Sequence, residues 1–376
     1  MLKIAILTTD NREHQRSYAE KHPRFGTAPE ALIQGFSRTG GLEIHVVSCT
    51  QKTLDSPSKL AENVFFHSLL VPKFGWLRSG YQGCIRAVRR KLREIQPDIV
   101  HGQGTERDCA ISAVFSGFPN VLTIHGNMRL VAEVNHARPF SFDWLAARLE
   151  SFTLPRSDGV VCITGYTREA VKDLARKTWL LPNAVDASFF EIENKPAIPR
   201  QLLCVGNICQ RKNQNALIRS LDGLNPDFEL VFLGALHAGD AYGAEFSKLI
   251  ASRPWCRYDG FVDRAGLKER LSRASGLILP SLEDNCPMVV LEAMAARVPV
   301  AAAAVGGVPD LIEDGVTGFL FDPLDARSIS KAVEGLTTPL SRSMAVEARG
   351  RALLRFHPEV IARRHVEIYR KVLERG

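Results

Sequence analysis

The 376-residue sequence predicts an α/β fold of two domains, each with a parallel sheet wrapped by helices on both faces. Three observations predict this fold. Short β-rich runs alternate with helix-length periodic runs. Most of the β-rich runs are apolar along their whole length, as in strands that are buried on both faces. The chain is also longer than one hydrophobic core usually serves.

The first half of the chain contains five strand candidates before residue 165. Between them, helical periodicity covers residues 28–38 and 78–95. Strand, helix and strand in this order indicate parallel pairing through crossover helices. The strand candidates are, in order, "KIAIL", "EIHVVS", "DIVHG", "NVLTIH" and "GVVCIT".

The second half repeats the pattern, with helical periodicity over residues 214–221 and 287–296. In doubly wound sheets ligands bind at the carboxyl ends of the strands, so the cleft between two such domains is the expected site. The strand candidates of this half are "QLLCVG", "FELVFLG", "CRYDGF", "GLILPS" and "VPVAAA".

Two prolines, Pro196 and Pro199, interrupt the periodicity in the middle of the chain and indicate a linker. The last helix has one apolar face and a basic outer face. It can therefore pack either on the second domain or back on the first domain. The expected boundaries are a first domain over residues 1–186, a linker over 187–200, a second domain over 201–356 and the C-terminal helix within 357–376.

Charge and cysteine content narrow the classes of partner and compartment. The net charge of +7 suggests an anionic partner, such as a nucleotide, a phospholipid surface or a nucleic acid. The eight cysteines form no CxxC pair, and no histidines lie at zinc-like spacing, which favours reduced thiols over disulfides or zinc. The first apolar run is too short for a signal peptide, and no membrane span is expected, so we expect a cytoplasmic protein.

The segment "PSLEDNCPMVVLEAMAARVPVAAAAVGGVPD", residues 280–310, places acids beside an otherwise apolar helix. Pro287 suits the first position of that helix, with Asn285 or Cys286 near the N-cap. Free N–H groups at such a helix start attract anions. A carboxylate such as Glu292, eight residues after Asp284, suits a hydroxylated ligand or a structural ion pair.

This segment resembles the signature region of retaining GT-B glycosyltransferases of family 4, the glycosyl transferases group 1. The resemblance rests on an acid, seven residues and a glutamate, here Asp284 and Glu292, followed by "EAMA", "VPV", the Gly306–Gly307 turn and "DGVTGFLFDP". It extends along nearly the whole chain, because further motifs appear in the family's order. These are "PDIVHGQG", "LTIHG", "LPNAVD" and "VGNICQRKN".

The resemblance implies a GT-B fold, with two Rossmann-like domains facing each other across a cleft. It implies a hexosyltransferase-type reaction from a nucleotide diphosphate sugar to an acceptor hydroxyl, with retention at the anomeric carbon. A UDP-sugar is the favoured donor and a GDP-sugar the alternative. The acceptor is a glycan or a lipid-linked molecule, in polysaccharide, lipopolysaccharide or glycolipid assembly. No cofactor and no essential metal are expected, since the sequence has no Asp-x-Asp metal clamp.

The resemblance also assigns roles to individual residues of this chain. Glu292 would bind the ribose hydroxyls, Glu283 or Asp284 the transferred sugar, and Lys212 the diphosphate. His125 would face the reacting sugar, unless it is a hydrogen-bonded core histidine at the end of its strand. Further donor-binding positions are Gly206, Asn207, Arg211, Asn285, Cys286, Pro287, Met288 and Val289, and the acceptor or phosphate loop holds Gly26, Thr27 and Ala28.

One departure from the family pattern concerns the phosphate site. Asn207 stands where the family has an arginine, and Arg211 is the candidate replacement. Two other function classes remain. A GT-B sugar-nucleotide epimerase would need no acceptor, and a non-catalytic relative would only bind the nucleotide sugar. The intact set of Asp284, Glu292, Lys212 and His125 argues against the non-catalytic relative.

The basic stretch over residues 74–95 has two interpretations. Its apolar residues fall on one helical face, so the arginines form the solvated outer face of a packed helix in the first interpretation. In the second, that basic face contacts anionic lipid on the inner membrane surface, with Phe74 and Trp76 at the interface. Nucleic acid is not expected, because no recognition motif accompanies the charge.

Overall fold

The computed structural model describes residues 1–223, 227–237 and 239–374. The chain divides into two compact units. The first unit comprises Met1–Ala184 together with Pro358–Gly376, and the second unit comprises Val185–His357. In the part of the chain that is described, we find no helix with the length and apolar character needed to cross a bilayer.

The strands are numbered along the chain. They are β1 (Leu2–Leu7), β2 (Leu42–Thr50), β3 (Lys59–Ala61), β4 (Val64–Leu70), β5 (Ile99–Gln103), β6 (Asn120–Ile124), β7 (Val160–Cys162), β8 (Thr178–Leu180), β9 (Arg200–Val205), β10 (Phe228–Leu233), β11 (Cys256–Tyr258), β12 (Gly276–Leu279), β13 (Val300–Ala303) and β14 (Phe319–Phe321).

The α-helices are numbered in the same way. They are α1 (Thr27–Ser37), α2 (Gln82–Ile95), α3 (Asp108–Val114), α4 (Met128–Val134), α5 (Phe142–Thr153), α6 (Gly165–Val171), α7 (Ala187–Phe190), α8 (Gln214–Ser220), α9 (Ala241–Ala251), α10 (Arg264–Arg273), α11 (Met288–Ala295), α12 (Ala326–Thr337), α13 (Pro339–Phe356) and α14 (Pro358–Leu373).

In the described ranges, each unit contains one sheet. The first unit has the strand order β3-β4-β2-β1-β5-β6-β7-β8, and the second has β11-β10-β9-β12-β13-β14. All paired strands run parallel except β3, which pairs antiparallel with β4. In each sheet the strand order reverses beside the first strand, at β1 and β9, and this is where doubly wound sheets bind ligands. The predicted α/β fold with two Rossmann-like sheets is confirmed.

Strand β1 shows how the first sheet is buried on both faces. Ile4 and Ile6 belong to a core cluster that also contains residues of α1 and α14, including Phe36. Ala5 and Leu7, which point to the opposite face, belong to a cluster with residues of α2 and α3. A strand with apolar residues on both faces has no polar alternation, which explains the continuous apolar runs in the sequence.

All ten predicted strands are present, and the described residues contain four further strands that were not predicted. Of these, β3, β8 and β14 have three residues each, too few to show a periodicity. The helix predicted over 78–95 begins later, at Gln82. Gly80 and Tyr81 both have a left-handed backbone, with φ of 62° and 61°, and so end the preceding turn before the helix starts.

The segment over residues 187–200, which the sequence analysis treats as a linker, is part of the second unit. It begins with α7 and continues as an extended stretch along the end of α10. There the backbone N–H of Lys195 donates to the carbonyl of Ser272 (2.7 Å), and that of Ala197 donates to Arg273 (2.9 Å). The prolines therefore interrupt the periodicity without separating the segment from the unit.

Helix α14 belongs to the first unit, where it packs on α1. The two helices approach so closely that a Cβ at Gly35 would lie 2.2 Å from the carbonyl oxygen of Pro358. From α14, the hydroxyl of Tyr369 lies 2.6 Å from Nδ1 of His101 on β5. The amphipathic pattern predicted this helix, and the glycine on α1 permits its close packing.

Candidate active site

Lys212 and Asp284 form the central ion pair of the second unit. Nζ of Lys212 lies 2.5 Å from Oδ2 of Asp284, and the Ser281 hydroxyl donates to the same oxygen (3.0 Å). Both ionic side chains are mostly buried, with 15% and 12% of their surfaces exposed. The pair joins the loop after β9 to the loop after β12, so it lies at the carboxyl ends of two adjacent parallel strands.

Glycines allow the loop after β9 to lie against its neighbours. The stem of Lys212 passes over Gly206, where a Cβ would lie 3.5 Å from the lysine Cδ. At the end of β10, a Cβ on Gly234 would lie 2.1 Å from the Gly206 carbonyl oxygen. The Asn207 carbonyl accepts a hydrogen bond from Nε2 of Gln214 at the start of α8 (3.0 Å). The path of this loop is thus fixed by backbone contacts on both sides.

A second ion pair lies beside the first. Arg211 donates from Nη1 to the Glu283 carbonyl (2.9 Å), and the same atom lies 3.6 Å from the Glu283 carboxylate. Burial raises the pKa of Glu283, Arg211 opposes this shift, and the neighbouring Asp284 adds to it. The structure therefore brings together Arg211, Lys212 and both candidate acids, with Asp284 paired to the lysine and Glu283 to the arginine.

The Gly306–Gly307 turn, after β13, contacts the same site. The Gly307 N–H donates to the Asp284 carbonyl (3.0 Å). Gly306 has a left-handed backbone with φ of 54°, and a Cβ there would lie 2.1 Å from the same carbonyl oxygen. Both the conformation and the close approach require glycine at this position.

The helix after the acids starts one residue later than predicted. Met288 is the first residue of α11 and Pro287 is its N-cap. Since proline has no N–H, the amides that α11 can offer to an anion are those of Met288 and Val289 in the first turn. Asn285 and Cys286 lie in the preceding loop, where Cys286 is buried.

Glu292 lies within α11 and is 3% exposed. Its Oε1 is 3.8 Å from Nη2 of Arg264, and the same nitrogen is 3.7 Å from Oδ2 of Asp186. Burial raises the pKa of Glu292 to about 7, Arg264 opposes the shift and Asp186 adds to it. Arg264 could not be predicted from the sequence, because an ion pair between distant parts of a chain leaves no spacing signal.

His125 follows β6 in the first unit. Its Nε2 donates to Oε1 of Gln103 (2.8 Å), and Gln103 in turn contacts the buried His101. Burial lowers the pKa of His125 to about 4, against a hydrogen bond with Asn183 that raises it. His125 is therefore a neutral imidazole at physiological pH, held in a polar network that the sequence analysis did not identify.

Gly26, Thr27 and Ala28 form the start of α1, with Gly26 as its N-cap. Gly26 has an ordinary φ of −64°, and a Cβ there would meet only Pro29, at 3.4 Å. The fold therefore does not require glycine at this position. Ala28 and His125 line the same small cavity, so the structure brings these two predicted regions of the first unit together.

Potential metal ligands come together elsewhere in the first unit. Within the described ranges, Cys49, Cys84 and Asp108 are all buried and have potential ligand atoms within 4.8 Å of one another. A hydrogen bond with Cys84 and burial raise the pKa of the Cys49 thiol well above its usual value. Burial raises the pKa of Asp108 to about 6. The cluster includes neither the pair of Lys212 and Asp284 nor the pair of Arg211 and Glu283.

Comparison with known proteins identifies the family. The model for "Glycosyltransferase Family 4" matches residues 30–189, and that for "Glycosyl transferases group 1" matches residues 185–349. The alpha-maltose-1-phosphate synthase of Mycolicibacterium smegmatis is 31% identical over an alignment of 301 residues, gaps included, that covers 70% of this chain and 75% of that protein. The chain belongs to the group 1 glycosyltransferases. A glycogen synthase of Mycobacterium tuberculosis is 25% identical to this glycosyltransferase over 69% of the chain and 64% of the relative.

Solved structures show the same GT-B fold as this glycosyltransferase. Sucrose-phosphate synthase from Thermosynechococcus elongatus aligns over the whole of both chains, with a TM-score of 0.76 and 18% identity. Anabaena HepE, solved in complex with UDP and glucose, covers 99% of this glycosyltransferase and 100% of its own chain, with a TM-score of 0.72 and 19% identity.

Proposed function

We propose that this glycosyltransferase moves a sugar from a nucleotide diphosphate sugar to an acceptor hydroxyl, with retention at the anomeric carbon. The observation that carries the proposal is the ion pair of Lys212 and Asp284, in which Asp284 lies in the loop that leads to α11. Structures of HepE with UDP and with UDP-glucose support a UDP-sugar as the donor. The names of the relatives, which include glycogen synthase, support an acceptor in polysaccharide assembly.

In the proposed mechanism, Lys212 exchanges its carboxylate partner for the donor diphosphate. Charge-assisted hydrogen bonds from Nζ and from the amides of Met288 and Val289 stabilise the departing phosphate. This positive charge takes the place of a metal ion, so the reaction needs no metal. Asp284, released from the lysine, accepts hydrogen bonds from hydroxyls of the transferred sugar.

Retention follows if the acceptor attacks from the face that the phosphate leaves. The bond between the anomeric carbon and the donor phosphate breaks while the oxygen of the acceptor hydroxyl bonds to that carbon. The departing phosphate oxygen takes the proton of the acceptor hydroxyl. His125 and the start of α1, with Gly26 open to close approach, serve the reacting sugar and the acceptor in the first unit. Arg211, held beside Lys212 by the Glu283 carbonyl, takes the role of the arginine that Asn207 replaces.

We expect UDP to stabilise the wild-type protein in a thermal-shift panel of UDP, GDP, ADP and dTDP, with and without magnesium. At 100 times its Kd a ligand stabilises by about 2.7 kcal/mol, which raises Tm by about 3 °C for a chain of this length. Glu292→Gln replaces one of the two carboxylate oxygens that accept from the ribose hydroxyls by an NH₂ donor, so we expect this variant to lose most of the shift.

The matched control is Glu347→Gln, which changes an exposed acid paired with Arg351 on α13 of the same unit. If Glu292 binds the ribose, Glu347→Gln keeps the UDP-induced rise in Tm that Glu292→Gln largely loses. A wild-type protein that no nucleotide stabilises would favour the non-catalytic relative. Conversion of a UDP-sugar without an acceptor would favour the epimerase, because sustained transfer requires an acceptor.

We further propose that the first unit contacts an anionic membrane surface. Phe74 is 78% exposed and Leu70 is 55% exposed. The loop around Phe74 packs on the start of α2, since a Cβ at Gly75 would lie 2.9 Å from the Cα of Gly83. Trp76 faces inward instead, with its Nε1 donating to the Val71 carbonyl (3.0 Å). The exposed cations of α2 are Arg86, Arg89, Arg90 and Arg93.

We expect the wild-type protein to float with vesicles rich in phosphatidylserine and not with neutral phosphatidylcholine vesicles. Each basic residue near an anionic surface contributes about 1 kcal/mol. The variant Phe74→Ser with Arg89→Gln and Arg90→Gln should therefore lose flotation at physiological salt. Equal recovery of the variant and the wild type would leave α2 as a solvated helix and contradict the proposal.

A further inference from the structure

Arg264 occupies a position that the stability of its own helix does not explain. It is the first residue of α10, where the helix dipole disfavours a positive charge. The helix is already capped by Asp263, whose side chain accepts from the Gly266 N–H (2.8 Å). The Arg264 side chain is only 24% exposed, and its Nε and Nη2 atoms are buried without a hydrogen-bond partner among the described residues.

The guanidinium of Arg264 lies between two carboxylates. Nη2 is 3.8 Å from Glu292 and 3.7 Å from Asp186, and the guanidinium carbon lies 5.3 Å from the centre of the Phe189 ring. Asp186 already has a structural role, because it accepts hydrogen bonds from the N–H (2.8 Å) and the hydroxyl (2.5 Å) of Ser188 and caps α7. Glu292 is therefore the carboxylate whose function Arg264 can serve.

We infer that Arg264 is a positioning residue that keeps the buried Glu292 carboxylate ionised and oriented to accept hydrogen bonds from nucleotide hydroxyls. The inference rests on the proposed function, in which Glu292 binds the ribose. An ionised carboxylate accepts hydrogen bonds at both oxygens, whereas a protonated one has lost acceptor capacity and is itself a donor. Two neighbouring hydroxyl donors therefore bind the ionised form more tightly.

In the part of the chain that the structure describes, few other charges face Glu292. Helix α11 packs against α7, α13, β12 and β13. Both strands consist of apolar residues and glycine, and α7 contributes its cap Asp186. From α13, Arg349 donates to the carbonyls of Ala295 and Phe190. On α10, Lys268 acts on Asp186 and donates to the Ser188 hydroxyl. Arg264 is the cation whose charge opposes the protonation of Glu292.

The consequence is a pH dependence of binding that Arg264 sets. Burial raises the pKa of Glu292 to about 7 although Arg264 lowers it. In the wild-type protein the ionised fraction, and with it the affinity for UDP, rises with pH through this value. Without the guanidinium we expect the pKa to rise by about one further unit. The affinity curve then moves to higher pH, so UDP binds about fivefold more weakly at pH 7 and nearly normally at pH 9.

Calorimetric titration with UDP at pH 6, 7, 8 and 9 tests the inference on the wild type and Arg264→Gln. Arg270→Gln is the matched control, since Arg270 lies on the same helix and pairs with Asp259. This control should follow the wild-type curve. In the Glu292→Gln background, Arg264→Gln should have no further effect. A loss of affinity that is equal at every pH would show a purely structural role and overturn the inference.

A second measurement needs no nucleotide, so it separates this inference from the proposed function. A carboxyl whose pKa is raised on folding makes the protein less stable, relative to Glu292→Gln, as pH rises from its unfolded value to about 7. We expect Arg264→Gln to extend this loss to higher pH in melting curves. If UDP fails to bind the wild type, the proposed donor is wrong, but the melting curves still report the effect of Arg264 on the pKa of Glu292. The inference would be overturned if the stability of Arg264→Gln fell over the same pH range as that of the wild type.

Discussion

Replacing Arg12 by alanine is expected to lower the free energy of unfolding by about 3–5 kcal/mol, the range for removing one partner of a buried ion pair. Arg12 is completely buried, and its partner Asp10 is nearly so. Nη2 of Arg12 lies 2.6 Å from Oδ2 of Asp10, and Nε lies 3.1 Å from Oδ1. The variant leaves this carboxylate without its counter-charge in a site that water does not reach.

The same guanidinium also holds the backbone of two loops. Its Nη1 donates to the carbonyls of Glu20 (2.7 Å), Lys21 (3.0 Å) and Asp55 (2.9 Å). The segment between β1 and α1, which leads to Gly26, is thereby tied to the segment that follows β2. We therefore expect the variant to lose the acceptor function proposed for this region as well as stability.

Urea denaturation followed by circular dichroism measures the effect. Arg24→Ala is the matched control, because Arg24 lies in the same loop with an exposed ion pair to Glu20. Exposed pairs contribute about 0–1 kcal/mol, so the control should change little. A loss below 1 kcal/mol for Arg12→Ala would mean that the loop reorganises and hydrates Asp10.

Substitution of Gly306 by alanine is the second large effect that we expect. The new Cβ would lie 2.1 Å from the Asp284 carbonyl oxygen, so the turn must move away and the Gly307 hydrogen bond to that oxygen is lost. Overpacking costs about 1–3 kcal/mol, and a left-handed residue other than glycine adds about 1 kcal/mol. Since Asp284 then shifts relative to Lys212, we expect at least a tenfold loss of affinity for UDP, or about 1.4 kcal/mol.

Gly315→Ala is the control that separates the steric clash of the new Cβ from the cost of a left-handed alanine. Gly315 has a φ of 73°, and a Cβ there meets nothing within 4 Å. Both variants carry the cost of a left-handed alanine, and only Gly306→Ala carries the clash. Melting temperatures and calorimetric titrations with UDP should therefore differ between them. Equal behaviour of the two variants would contradict the close approach of the turn to Asp284.

The sequence predicted best those elements whose signal is local. Most of the ten predicted strands were identified because burial on both faces gives a continuous apolar run. Helix α11 was placed to within one residue, since Pro287 has a φ that suits either the N-cap or the first helical position. The motifs that resemble family 4 predicted that Lys212, Asp284 and Glu292 belong to one site. The structure shows that Lys212 and Asp284 are in contact.

The sequence predicted least well the polar groups that pair over long distances in the chain. Arg12 lies in a polar loop and looks like a solvated side chain until its carbonyl partners are known. Arg264 is the first residue of α10, and its position in the sequence does not indicate that it lies near Glu292 and Asp186. Gln103 was part of a quoted motif, but its contact with His125 depends on the pairing of β5 with β6.

The assignment of α14 to the first unit has a consequence for synthesis on the ribosome. The chain leaves the first unit at Ala184 and returns to it at Pro358, with the second unit complete between these points. Tyr369 and Ile361 fill the core around β1 and α1 but are made after every residue of the second unit. Until α14 has been made and has left the ribosome, residues 1–184 therefore present an open hydrophobic face to chaperones.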